Sequence, residues 1–254
     1  MEYIQPNLTI NETVNIIKGK ISSETPFSLT RFGDGEIYII NGKGTDEFKK
    51  KICRNWGYSY PDQVEKGYSE IRKILIDSMV KSDIVGFMDK NTTTLPPNFY
   101  RENTWSLPTT FLTDIGRDLS TTQICDHMIA RSNELGNIHN FKEILNGKDL
   151  HIISTNKSKL ESKNLSGLLE CNVTITNHPT EININNRDNF VRELSNIKEP
   201  VVIYGTGLLK DYGVYLRDNF GKITLDLGAT MDAWSGIMSR PWFGKNNRQD
   251  YLVL

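Results

Sequence analysis

The sequence has no apolar stretch long enough to cross a bilayer. Its longest apolar runs, such as Val201-Val202-Ile203-Tyr204, are the length of a strand. The opening Met1-Glu2-Tyr3-Ile4-Gln5 lacks a basic segment followed by an apolar core, so no secretory leader is expected. Charge of either sign is not in excess: 30 Lys and Arg face 31 Asp and Glu, a formal net charge of -1. A general nucleic-acid surface shows as a basic excess, and none is present. Cysteine is scarce. Cys53, Cys125 and Cys171 are scattered, odd in number and without metal-type spacing, which fits buried thiols in a reducing compartment. No Gly-x-Ser-x-Gly elbow and no P-loop occur, which removes the triad-hydrolase and Walker-type readings. No pair among His127, His139, His151 and His178 has zinc-site spacing.

What is present is an alternation of short apolar strands and amphipathic helices. The first half carries helical periodicity over Asn11 to Ile21 and Gln63 to Val80, with strands at Phe27 and at Asp83 to Phe87. Ile37 to Ile40 reads as either a short helix or a strand, and Thr45-Asp46-Glu47 as the cap and acidic first turn of another helix. Thr121 to Arg131 has a helical pattern, which places His127 within a helix. The second half is more regular, with strands at Leu150, Val173, Pro200 and Lys222, and helices at Ser158 to Leu169, Arg187 to Ile197 and Leu208 to Phe220. This pattern predicts an α/β fold with a mostly parallel, Rossmann-like sheet covered by helices on both faces. Residues 1–254 are long enough for one domain. Asp89 to Asp118, rich in Thr, Pro and Asn, has no clear period and reads as a loop-rich insertion or acceptor-binding lid.

In open parallel sheets, ligands bind where strands end and helices begin. Those ends are polar or glycine-rich here: Arg31-Phe32-Gly33-Asp34-Gly35-Glu36, Ser154-Thr155-Asn156-Lys157, Thr176-Asn177-His178, Gly205-Thr206-Gly207 and Asp226-Leu227-Gly228. The first places an arginine, which suits phosphate, beside two hard carboxylates between glycines. On spacing alone, an Asp-Gly turn with a surface glutamate is the simpler account. Gly205-Thr206-Gly207 with Asp226 resembles half of a dinucleotide fingerprint, but Lys210 stands where the third glycine belongs. A tight turn without a ligand explains it equally. Asp232 and Trp234, with Arg240-Pro241-Trp242, could form a sugar platform or simply pack a tail onto the core. His178, at a strand end before Pro179, is the one histidine placed for acid–base work.

Arg31-Phe32-Gly33-Asp34-Gly35-Glu36 resembles the Arg-aromatic-Gly-Asp-Gly-Glu signature of the GT-D-type bacterial glycosyltransferases. Gly205-Thr206-Gly207 through Asp232 is similar to that family's closing strand–turn–helix–strand unit, and Arg240-Pro241-Trp242 also resembles its members. The resemblance implies a GT-D-type fold and transfer of a hexose from a nucleotide sugar, commonly a UDP-sugar, to a glycan, glycoprotein or lipid-linked saccharide. It implies Mn²⁺ (or Mg²⁺) held by Asp34 and Glu36, with donor contacts from Arg31, Gly33, Lys157, Gly205, Gly207 and Arg240. Some members carry a histidine where Ala229 stands here. Any catalytic duty of that histidine must move or be absent, with Asp232 the first substitute, as sugar ligand or general base, and His178 the second. Such an enzyme is expected in the cytoplasm, at or near the inner face of the membrane. Two rivals stay open: a non-catalytic nucleotide-sugar or glycan-binding module, and an NAD-dependent oxidoreductase built on Gly205, Gly207 and Asp226.

Overall fold

A computed structural model describes residues 2–42, 44–55, 61–88, 107–131, 138–145, 147–155, 160–178 and 184–236. Helix α1 (Ile10–Ser22) starts where Thr9 and Glu12 cap each other, each side chain accepting the other's amide. Strand β1 (Phe27–Arg31) is buried throughout, and Gly33 passes the chain into α2 (Asp34–Ile40). The Ile37–Ile40 run is therefore helix. Thr45 caps α3 (Asp46–Asn55), its hydroxyl accepting the Phe48 amide at 3.2 Å. Then come α4 (Pro61–Lys81), β2 (Ile84–Phe87), α5 (Thr109–Asp114), β3 (Gln123–Asp126), α6 (Ile138–Leu145) and β4 (Leu150–Thr155). The chain closes with α7 (Ser162–Leu169), β5 (Val173–His178), α8 (Ile184–Leu194), β6 (Val201–Tyr204), α9 (Asp211–Phe220), β7 (Ile223–Asp226) and α10 (Thr230–Trp234).

Among the described residues, seven strands form one all-parallel sheet in the order β3-β2-β1-β7-β6-β4-β5. Successive strand residues alternate between two apolar layers: Val201, Ile203 and Ile152 join α1, α6, α7 and Trp234 on one face. Val202, Tyr204 and Ile153 join α2, α4, α8 and α9 on the other. Both faces being covered explains why the strands read as short apolar runs. Strands β1 and β7 lie side by side at the centre of the sheet, Leu29 opposite Leu225.

Two stretches differ from their sequence reading. Thr121 to Arg131 is not a helix. Gln123–Asp126 pairs with β2 as an edge strand, Ile124 and Cys125 are buried, and His127–Arg131 form a 3₁₀ turn. Asp126 Oδ1 accepts the Met128 amide at 2.8 Å and turns the chain out of the strand. Ladder pairing outweighs the local period. In the proposed lid, residues 89–106 lie outside the described residues, whereas Leu107 and Leu112 are fully buried against the core around α5. Among the described residues, no helix is long and apolar enough to cross a membrane.

Candidate functional site

The parallel pairing of β1 with β7 sets Arg31 beside Asp226 across 195 residues of chain. Asp226 Oδ2 accepts the Arg31 amide at 3.2 Å, and Oδ1 lies 3.5 Å from Arg31 Nη2. The guanidinium also donates to the Asp226 carbonyl and, at 3.0 Å, to the His127 carbonyl, so one side chain ties the ends of β1, β7 and β3. Lys210, just before α9, places Nζ 2.7 Å from Asp226 Oδ2 and 3.2 Å from Glu36 Oε1. Glu36 Oε2 in turn accepts the Gly33 amide at 3.1 Å. The result is a continuous chain of charges, Arg31–Asp226–Lys210–Glu36.

Its electrostatics are closed. Burial alone would raise the Asp226 carboxyl, yet Lys210 and Arg31 hold it below the usual carboxylate range. Burial would likewise depress Lys210, and Asp226 and Glu36 hold it above its ordinary value. Among the described side chains of the cluster, two cations face two carboxylates, so these four charges match one another before any ligand arrives.

Gly33 is glycine for a steric reason. A Cβ there would lie 3.1 Å from Glu36 Oε2 and 3.2 Å from His127 Nε2, closer than real Cβ contacts normally come. A carboxylate oxygen and an imidazole nitrogen therefore look onto the bare face of one residue. Among the described residues, no three His, Cys, Asp or Glu side chains gather into a ready metal site. The two donor types on the Gly33 side, a carboxylate oxygen and an imidazole nitrogen, are ones that a first-row divalent cation accepts.

Of the residues expected from sequence, Arg31, Gly33 and Glu36 come together here. Asp34 opens α2, but its side chain, together with Lys157 and Arg240, lies outside the described residues. Gly205 and Gly207 stand at the end of β6. A Cβ on Gly205 would be 2.4 Å from the Gly228 carbonyl, so its identity follows from packing between the β6 and β7 turns. Gly207 has φ +62°. Asp232 is buried in α10, close behind the Gly228 turn that abuts Arg31. His178 packs edge-on to Phe190 at 4.8 Å, with Tyr212 beyond, at the edge of the sheet and three strands from β7. That is a core histidine's environment. Trp234 is likewise core, 1 % exposed and 5.0 Å from Phe141, and offers no sugar platform. Lys210 and His127 join these residues without a local signal: Lys210 stands where a third glycine would be expected, and the helical period of Thr121 to Arg131 masks the position of His127.

Asp226 also decides against the dinucleotide reading. Its carboxylate is fully buried and engaged by Arg31 and Lys210, so it cannot hold a ribose hydroxyl.

The sequence pattern of the GT-D-like family, described as a GT-D fold-like domain, matches residues 8–234. The chain belongs to the GT-D-like family. Its α/β sheet is similar to that of a solved structure described as the highly conserved domain of unknown function 1792 with a distinct glycosyltransferase fold. The two share 19% identity over 97% of this chain and 88% of that one, with a TM-score of 0.62. A second, described as a new glycosyltransferase from Streptococcus sanguinis, shares 17% identity over 91% of this chain and 83% of that one, with a TM-score of 0.55. No curated protein matches. The matched range, residues 8–234, includes the motif after β1 as well as Lys210 and Asp226.

Proposed function

We propose that this GT-D-like protein is a metal-dependent glycosyltransferase that moves a hexose from a nucleotide sugar, a UDP-sugar first, to a glycan, glycoprotein or lipid-linked acceptor. The observation that carries this reading is the balanced cluster at the β1 and β7 ends. Departure of a nucleoside diphosphate develops negative charge, and a cluster whose cations are already matched by carboxylates has none in surplus. Asp34 and Glu36 would hold a divalent cation there, and when bound it would supply the missing positive charge as a Lewis acid.

The chain's own residues do the rest. Arg31 and Asp226 fix the strand ends, which keeps the loop of Gly33 and Glu36 in one position under the donor. Lys210 holds Glu36 in place through its ammonium. In this reading Asp232, in the first turn of α10, is the candidate to hold a sugar hydroxyl or take the acceptor proton.

Calorimetry of UDP with Mn²⁺ and with EDTA, on the wild type and Glu36→Gln, tests this, together with release of hexose from UDP-sugars. Binding that needs Mn²⁺ and weakens in the variant is the expected result. Turnover that survives both EDTA and Glu36→Gln would overturn the metal-dependent reading. Donor binding without any hexose release or transfer would favour a non-catalytic sugar-nucleotide module.

A further inference from the structure

The geometry points to His127 as a ligand of the divalent cation, opposite Glu36 across Gly33. This rests on the metal-dependent reading above and adds a residue from a different strand to it. Nothing in the local sequence pairs His127 with the carboxylate motif, because 90 or more residues separate them. The sheet brings them together: Arg31, Gly86 and Cys125 stand at one level of β1, β2 and β3, and His127 lies two residues beyond that level.

Three independent features hold the imidazole there. Arg31 Nη1 donates to the His127 carbonyl at 3.0 Å, so the site's own arginine positions its backbone. The Asp126 side chain fixes the turn through the Met128 amide. A Cβ at Gly33 would crowd both Nε2 and Glu36 Oε2, so a glycine there lets the two atoms approach the same backbone position. His127 is also only half-buried, unlike Arg31, Lys210 and Asp226. A carboxylate oxygen and an imidazole nitrogen make a mixed site. Magnesium and calcium prefer oxygen alone, whereas manganese and later first-row ions accept imidazole. The ligand set therefore selects Mn²⁺ over Mg²⁺. Two described protein ligands are few, which suits a cation that binds fully only with the diphosphate that completes its shell.

The experiment titrates Mn²⁺ against the full-length protein by electron paramagnetic resonance, with and without inorganic diphosphate, for the wild type, His127→Ala and His127→Gln. Inorganic diphosphate carries no base or sugar, so the result does not depend on the donor being UDP-linked. The wild type is expected to bind Mn²⁺ more tightly when diphosphate is present, and both variants to lose roughly tenfold or more in affinity. The preference for Mn²⁺ over Mg²⁺ should narrow in parallel. Proton spectra of the wild type give a second reading that needs no variant: Mn²⁺ should broaden the His127 ring resonance before those of His139 and His151. Mn²⁺ affinity within twofold of wild type in folded variants, or an unbroadened His127 resonance at saturating Mn²⁺, would overturn the inference. If His127 behaves as expected but UDP fails to bind, the cation site stands and the UDP-sugar donor falls. Mn²⁺-dependent UDP-sugar turnover unaffected by His127→Ala gives the reverse.

Discussion

The ammonium of Lys210 lies 3.2 Å from the Glu36 carboxylate, so the residue offered by the motif as a cation ligand already has a cation beside it. Lys210 also holds Asp226 at 2.7 Å in a fully buried setting. Lys210→Met leaves two carboxylates with one cation between them. It is expected to cost about 3–5 kcal/mol of stability, as removal of one partner from a buried charge network does. Chemical denaturation of the variant checks the loss. A variant within about 1 kcal/mol of wild type would show that the cluster is not a closed unit.

Gly205→Ala tests the packing of the two turns. Its Cβ would meet the Gly228 carbonyl at 2.4 Å and Met231 Cε at 2.8 Å, and a carbonyl cannot swing aside as a side chain can. Overpacking of this kind costs about 1–3 kcal/mol, to be read as a lowered melting temperature. Shifting Gly228 also disturbs Arg31, which abuts it, so UDP binding in the presence of Mn²⁺ should weaken as well.

His151 makes stability depend on pH. Its Nδ1 is 3.0 Å from Glu199 Oε2 and its Nε2 2.9 Å from the Thr176 hydroxyl, which staples β4 and β5 to the start of β6. Burial pushes its pKa below the usual 6.5, against the pull of Glu199. The unfolded chain therefore binds the proton more readily, and stability falls as pH drops through and below 6.5. The denaturant midpoint should decline between about pH 7.5 and about pH 5, and the decline should shrink in His151→Gln. An equal decline in that variant would assign the effect elsewhere.

Trp234→Ala separates a core tryptophan from a sugar-stacking one. The ring is buried against Phe141, so truncation should cost about 3–5 kcal/mol. Trp234→Phe should restore most of the stability and leave the donor KM unchanged. A raised KM in a stable Trp234→Phe protein would return the ring to the sugar site.

Much of the fold is legible because a parallel sheet covered on both faces demands short, doubly buried strands. Val201-Val202-Ile203-Tyr204 and Leu150-His151-Ile152-Ile153 show that demand directly. Helices with a full apolar stripe, such as α1, declare themselves in the same way. Gln123–Asp126 does not, because a four-residue edge strand carries too little pattern to compete with a chance helical period. Helix α6 did carry a signal, with Ile138, Phe141, Ile144 and Leu145 at helical spacing and all buried.

The site divides along the same line. By itself, the sequence determined the local parts: glycines where the chain leaves β1, a carboxylate three residues after Gly33, and an α/β alternation that puts such turns at strand ends. Only the tertiary structure decided which distant residues complete them. Parallel pairing of β1 with β7 brings Asp226 to Arg31, the turn before α9 lowers Lys210 between Asp226 and Glu36, and the β3 edge sets His127 over Gly33. These partners lie far apart in the chain, and their meeting depends on strand order and register. Local propensity does not encode either one.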